Sequence, residues 1–245
     1  MRWHENGTTR WLEADLPGAR AAFSTRLGGV SSGPFESLNL GILTGDEAER
    51  VRENRRLLAG ALGHQPAAVV IGRQVHGAEI AAHHGPQRPS PFAQSGSPIP
   101  EVDGHVIRAG AALVFVADCL PVALSGPRGV AILHCGWRGL AAGIVEAGAA
   151  AVEARAAAIG PGIGPCCYEV GEEVLEAFSA LGDDLAEGRM LDLAAVAVRL
   201  LARSGVEEVE VSGLCTSCQP ELFFSHRRDG ERTGRQAGIA WPREG

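Results

Sequence analysis

A chain of 245 residues and 25.5 kDa, 45% hydrophobic and 21% charged, is able to bury a sizeable core, which excludes a disordered or fibrous protein. Acidic residues number 29 against 22 basic ones, a formal net charge of -7, so no overall attraction draws it to nucleic acid or to an anionic membrane. Every basic residue is arginine, which excludes lysine Schiff-base chemistry and leaves the planar guanidinium as the permanent cation for an anionic ligand.

The segment Met1 to Trp11 carries His4, Glu5 and Arg10 and lacks the apolar stretch of a signal peptide. Residues 19–45 are rich in glycine and serine, with Arg26-Leu-Gly-Gly-Val-Ser-Ser-Gly33 and then Ser37-Leu-Asn-Leu-Gly41, and predict a shaped loop. Asp46 with Glu49 predicts a helix start, after which Val51, Leu58 and Leu62 share one face. The apolar run Ala67 to Ile71, ending at Gly72, predicts a buried strand. Residues 85–100 hold five of the 14 prolines and predict an extended surface insertion between core strands, with a lid as the alternative.

Ala111 to Ala117 and Val130 to Leu133 predict central strands. The most apolar stretch, Ala111 to Leu124, is interrupted by Asp118 and Pro121 and is too short to span a bilayer. Leu140 to Ile159, alanine-rich with Glu146, Glu153 and Arg155 on one face, predicts a single long helix. Helices are expected at Glu172 to Leu181 and Asp192 to Ser204, then a strand through Val206, Val209 and Val211 and a last strand at Phe223-Phe224. This alternation, without internal repeats, predicts one mixed α/β (α+β) domain over residues 1–245, a mixed sheet with helices on both faces. Six cysteines without an export signal read as thiols of a reducing compartment, and the cytoplasm is the expected location.

Three segments place a potential metal ligand at or near a predicted strand end: Gly72-Arg-Gln-Val-His76-Gly77, Ala117-Asp118-Cys119-Leu-Pro121 and Leu133-His134-Cys135-Gly136. Ligands at neighbouring strand ends converge in space, and two imidazoles with one thiolate suit Zn2+ or copper while leaving a fourth position open. The spacing matches no short metal signature, and a buried thiol with core histidines is the ordinary alternative. Asp118, in strongly apolar surroundings, needs a partner or a function: an acceptor behind a ligand histidine, a general acid/base, or a turn cap before Pro121. Gly136-Trp-Arg138-Gly139 joins a strand to a helix, where Arg138 suits an anion or a structural ion pair. Cys215-Thr-Ser-Cys218 resembles half of a zinc or redox motif without a second pair at zinc-ribbon spacing, and reads as structural. The adjacent Cys166 and Cys167 read as unable to act together, and His83-His84 as surface.

In combination these motifs are familiar. Ser24-Thr-Arg26-Leu-Gly-Gly-Val-Ser31, Leu38-Asn39-Leu-Gly41, Asn54-Arg55, Gln74-Val-His76-Gly77, Asp103-Gly104, Ala117-Asp-Cys119-Leu-Pro121, His134-Cys-Gly-Trp-Arg138-Gly139, Gly160-Pro-Gly-Ile-Gly164, Cys167-Tyr-Glu-Val170, Ser225-His-Arg-Arg-Asp-Gly230 and Thr233-Gly-Arg235-Gln236 run through nearly the whole chain. Together they resemble the YfiH-like family once called multicopper polyphenol oxidoreductases or bacterial laccases. That family is now associated with purine nucleoside phosphorylase and adenosine deaminase activity, and it also contains a peptidoglycan editing factor.

The resemblance implies a three-layer α/β/α sandwich with a metal, commonly zinc, on the residues that match as His76, Cys119 and His134. Cys135 departs from the family's usual alanine, and the proline-rich segment is an insertion. The activities implied are phosphorolysis of adenosine, inosine and methylthioadenosine and hydrolytic deamination of adenosine, with nucleoside and phosphate as partners. Under that reading Asp118 moves a proton, Arg138, Arg55 and Arg26 receive phosphate, and Asn39 and Gln74 bond base or ribose; bracing of loops and turns is the alternative for Arg26, Arg55, Asn39 and Gln74. The H-x-E with P-C-x-x-C signature of cytidine-type deaminases is absent. A four-copper laccase would use His-x-His pairs, and this chain has eight histidines and none in that pattern. Two further alternatives are a cysteine hydrolase with Cys119 as nucleophile, acting on an amide of a peptidoglycan precursor, and a non-catalytic metal-binding protein with Cys135 as fourth ligand.

Overall fold

The computed structural model describes residues 1–94 and 96–243. Its first three strands, β1 (Arg2–Asn6), β2 (Thr9–Leu16) and β3 (Ala19–Ser24), form an antiparallel meander. After α1 (Ala48–Ala61) come the short β4 (Val69–Val70), β5 (Ile80–His83), β6 (Gly104–Ile107) and β7 (Ala111–Val116). A hairpin of β8 (Leu120–Gly126) and β9 (Gly129–Cys135) leads into α2 (Trp137–Ala141), α3 (Ile144–Val152) and β10 (Ala156–Ile159). Then follow α4 (Glu172–Phe178), the two-residue strands β11 (Ala186–Glu187) and β12 (Met190–Leu191), α5 (Leu193–Arg203), β13 (Glu208–Val211), α6 (His226–Asp229) and β14 (Gln236–Pro242).

The class is mixed α/β, as the sequence predicts, with the strands divided between two six-stranded sheets in the orders β1-β2-β3-β14-β7-β4 and β13-β10-β8-β9-β6-β5. Between them lies a buried apolar layer of Phe23, Val114 and Ile132 with many alanines, among them Ala14, Ala112, Ala123 and Ala158. Small side chains let the sheets approach closely, and each large one buried there contributes about 1.5–3 kcal/mol. The outer face of the first sheet is covered by α1 through Leu58 and Ala59, and that of the second by α3, α4 and α5 through Val145, Val174 and Leu201. The helix-covered sandwich is therefore built on a doubled sheet. Alternation along a strand tells which face is buried, not which sheet the strand joins.

Several local expectations are corrected. Residues 19–45 begin with β3, whose alanines give little apolar signal. Asp46 does not cap α1: its carboxylate accepts from Ser31 and Asn39, and the helix starts after Glu47 without a side-chain cap. The run Ala67 to Ile71 pairs over Val69–Val70 alone. The expected long helix from Leu140 is broken at Gly143 (φ 88°) and ends at Glu153 (φ 50°), and its last residues become β10. Strand β8 starts at Leu120 despite Pro121, the residue read as an interruption. Phe223 and Phe224 are buried but not in a strand; the Gln236 side chain bonds both the N–H and the C=O of Phe224 in place of a ladder. In the proline-rich segment, Phe92 is buried in the α1 layer and Gln87 bonds both backbone groups of Ile71. Ser95 of that segment lies outside the described residues. No helix among the described residues is long and apolar enough to cross a membrane.

Candidate metal centre

Sheet register brings the candidate ligands together. In the β8–β9 hairpin Pro121 stands opposite His134, which puts Cys119, just before β8, beside the end of β9. On the other side of β9, Gly104 pairs with Leu133, and Asp103 accepts the His134 N–H through its backbone carbonyl at 2.8 Å. His76 arrives on the loop after β4. Its ring and that of His134 are 4.8 Å apart between centroids, and the two imidazoles and the Cys119 thiol offer ligand atoms all within 4.8 Å of one another.

Asp103 organises this group. One carboxylate oxygen accepts from His134 Nδ1 at 2.7 Å and from the His76 N–H at 3.0 Å. The other accepts from Val75 and Gly77 N–H groups at 3.0 and 2.8 Å. An ionised acceptor at Nδ1 places the His134 proton there and leaves Nε2 as the free ligand atom. Burial pushes the Asp103 carboxyl up, but the His134 bond and the Gly77 and Val75 N–H groups outweigh it and hold it below its usual value. The expectation of an acceptor behind a ligand histidine is met by Asp103, not by Asp118.

Asp118 lies almost buried, with its backbone in the left-handed region (φ 91°). It accepts from the Thr216 hydroxyl at 2.6 Å and from the Arg227 N–H at 2.7 Å. His76 also has positive φ, 61°. Two non-glycine residues held this way, one a candidate ligand and the other next to one, are the kind of stored strain found at functional sites.

Burial pushes the Cys119 thiol up, but the charge and hydrogen bond of His134 and the hydrogen bond of His76 outweigh it and bring it down to about 6. Burial pulls His134 down, and Cys119 with Asp103 outweighs that to raise it to about 9. Each of the two groups thus favours the charged form of the other, and a cation bound here would compete with their protons. The donor set fits a metal: soft sulfur and borderline nitrogen suit Zn2+ or copper, and three ligands leave one side open. Gly136 permits the approach, since a Cβ there would stand 3.0 Å from Cys119 Sγ and 3.2 Å from His76 Cδ2. Cys135 points to the opposite face of β9, fully buried in the helix-side core, and burial pushes its thiol up. It does not join the group as a fourth ligand, and among the described residues the closed four-ligand site expected for a non-catalytic protein does not form around His76, Cys119 and His134.

Three arginines share charge effects with this group or with the neighbouring Tyr168. Arg138 is exposed, its guanidinium 4.4 Å from the Trp137 ring centroid, with no hydrogen-bond or ion-pair partner among the described residues. Arg235 is lowered by burial, against which the charges of Cys119 and Asp118 act. The Arg227 guanidinium lies 5.2 Å from the Tyr168 ring centroid. Burial pushes the Tyr168 phenol up to about 12, with Cys119 adding to the shift and Arg227 and Arg138 opposing it. Tyr168, Arg227, Arg235 and Asp103 all lie in the quoted motifs, yet spacing alone gave no signal of their roles.

Four expected substrate residues are engaged in hydrogen bonds within the protein. Arg55 is only 2% exposed and donates to the carbonyls of Leu40, Pro91 and Phe92. Asn39, fully buried, joins Gly41, Thr44, Asp46 and Arg235. Gln74 bonds the N–H and C=O of Phe115, and Arg26 donates to the carbonyls of Glu36 and Pro220. Each of the four bonds loop or strand groups of the protein, the arrangement that the bracing alternative predicts.

A second thiol cluster is present. Cys166 and Cys167 meet Cys215 and Cys218, so the pair missing from the C-x-x-C motif is the adjacent pair.

A family model described as multi-copper polyphenol oxidoreductase laccase matches residues 20–243. Purine nucleoside phosphorylase YfiH of Escherichia coli (strain K12) is 38% identical over 237 residues, covering 91% of this chain and 94% of that protein. Purine nucleoside phosphorylase YlmD of Geobacillus stearothermophilus is 36% identical, covering 96% and 95%. The crystal structure of Bacillus licheniformis hypothetical protein YfiH superposes with a TM-score of 0.89 at 30% identity, covering 98% of this chain and 99% of that one.

Proposed function

We propose that this chain, which belongs to the multi-copper polyphenol oxidoreductase laccase family, is a cytoplasmic, metal-dependent purine nucleoside phosphorylase with a second, adenosine-deaminating activity. The observation that carries this reading is the His76–Cys119–His134 group, with ligand-type atoms all within 4.8 Å of one another, beside a Tyr168 phenol that feels the charges of Cys119, Arg227 and Arg138; Arg138 has no polar partner among the described residues. The names of the relatives in Escherichia coli and Geobacillus stearothermophilus support the substrate class, purine nucleoside and phosphate.

In phosphorolysis a phosphate oxygen attacks C1′ of the ribose, the bond from C1′ to the base nitrogen breaks, and the purine leaves with the electron pair. Arg138 and Arg235 hold the phosphate dianion, Arg138 with its whole fork available and Arg235 with part of it. Tyr168 stays a neutral phenol at working pH, so its ring receives the base and its O–H donates to it. Asp103 fixes the orientation of His134 and the path of the His76 loop, and Asp118 positions Cys119 and Arg227. A Zn2+ or Cu2+ ion held by His76, Cys119 and His134 would supply Lewis acidity. Deamination needs a water at purine C6, which an ion held by His76, Cys119 and His134 would activate.

The test is incubation of the purified, metal-quantified protein with adenosine, with and without phosphate and with a chelator, followed by separation of products. Adenine formed only with phosphate and lost with chelator is expected, with inosine as the mark of deamination. Intact adenosine in a metal-loaded protein overturns the reading. Cleavage of a peptidoglycan-precursor amide that survives chelation and ceases on alkylation of Cys119 would put the cysteine hydrolase in its place.

A further inference from the structure

The cluster of Cys166, Cys167, Cys215 and Cys218 lies outside the His76–Cys119–His134 group, and the proposed reaction does not use it. Its four Sγ atoms are within 4.8 Å of one another, with Cys166 to Cys218 and Cys167 to Cys218 each 3.4 Å apart. A tetrahedral tetrathiolate zinc site with Zn–S bonds of about 2.3 Å needs sulfurs roughly 3.8 Å apart, so small adjustments close the cage. The Gly164 N–H already donates to Cys215 Sγ at 3.2 Å, the kind of backbone bond that supports a ligating thiolate. The thiols come from two segments that run together: Gly162 bridges Cys215, and the Thr216 N–H donates to the Gly162 carbonyl at 2.9 Å. All six cysteines are free thiols.

We infer that these four cysteines hold a structural Zn2+ ion that ties the segment after β10 to the segment after β13. Both segments grip Asp118. The Ile163 N–H donates to its carbonyl at 2.8 Å, and the hydroxyl of Thr216, between the two C-x-x-C cysteines, donates to its carboxylate at 2.6 Å. The carbonyl of Cys167 also accepts from the Arg227 guanidinium at 3.3 Å. The tie therefore fixes the turn that presents Cys119 and the arginine against Tyr168. A closed four-thiolate set has no open position, which makes the ion a support and not a reaction centre. The inference stands independently of the reaction assigned to the other group.

The test is metal counting together with cobalt spectroscopy. About two zinc ions per chain are expected in the protein as purified without chelator, falling to about one in Cys166→Ser/Cys218→Ser, whose side chains are exposed, and to about one in His76→Ala/Cys119→Ala. After exchange to Co2+, the intense visible bands of a tetrathiolate site are expected to persist in His76→Ala/Cys119→Ala and to vanish in Cys166→Ser/Cys218→Ser. Native alkylation of the wild-type protein keeps the inference testable if a variant fails to fold: protection of the four thiols by zinc is expected. Free alkylation of all four with zinc present, or their recovery as disulfides, overturns it.

Discussion

The Asp103 carboxylate accepts a hydrogen bond from His134 Nδ1 at 2.7 Å while also accepting from three consecutive N–H groups of the His76 loop. One buried side chain thus sets the ligand face of one histidine and the backbone path of another. Asp103→Asn keeps the size and loses the charge. Metal affinity is expected to fall roughly 10- to 100-fold, measured by chelator competition; unchanged affinity would show that Asp103 shapes only the fold.

Gly136 has φ −84° and ψ 166°, a conformation open to alanine, so Gly136→Ala meets no backbone penalty. Its Cβ would nevertheless crowd Cys119 Sγ at 3.0 Å and His76 Cδ2 at 3.2 Å. Metal content and phosphorolysis are expected to drop together, kcat/KM on the order of 10- to 100-fold, with the melting temperature nearly unchanged. Retained activity at full metal content would place the reaction elsewhere.

Arg138 and Arg55 separate function from structure. Arg138→Ala removes a cation with no polar partner among the described residues, and is expected to raise the KM for phosphate roughly 10-fold or more at little cost in stability. Arg55→Ala strips donors from three carbonyls beneath Phe92 and is expected to cost about 3 kcal/mol in denaturant unfolding. The reverse pattern would return phosphate binding to Arg55.

His105 is fully buried with its Nδ1 3.0 Å from His83 Nε2, and burial, with the charge of His83, takes it down to about 3 against an opposing effect of Asp103. The surface reading of His83 is thereby corrected. Between the ordinary value of 6.5 and about 3 the unfolded chain binds a proton that the folded one does not, so stability is present above 6.5 and is lost as pH falls through this window. The loss is up to about 1.4 kcal/mol per pH unit for one proton. Asp103, held below 3.8, adds its own loss only in stronger acid. Chemical denaturation of His105→Gln from pH 7 to 4 is expected to show this slope reduced by about one proton, and an unchanged slope would contradict it.

The parts of the fold legible in sequence are those with dense local signals. The helix expected over Asp192 to Ser204 is α5, capped by Asp192, which accepts from the Ala195 N–H at 2.9 Å, and Ala111–Val116 and Gly129–Cys135 are strands with strong apolar runs. Alanine defeated the same reasoning in both directions, hiding β3 and disguising β10 as helix, because small side chains carry neither a strong period nor a strong propensity contrast. At the site, spacing showed three strand ends with ligand-type residues, and the resemblance named the set. Asp103, Tyr168, Arg227 and Arg235 needed the sheet register and loop packing that only the folded chain has. The thiol cluster was hidden for the same reason, since Cys166 and Cys215 are far apart in sequence and adjacent in space.

The most direct measurement is the metal content and adenosine phosphorolysis of Cys119→Ala, taken beside its circular dichroism. A folded protein that has lost the ion of the His76–Cys119–His134 group and its activity is the predicted result. A folded Cys119→Ala protein that cleaves adenosine at the wild-type rate would contradict the assignment of this group as the reaction centre.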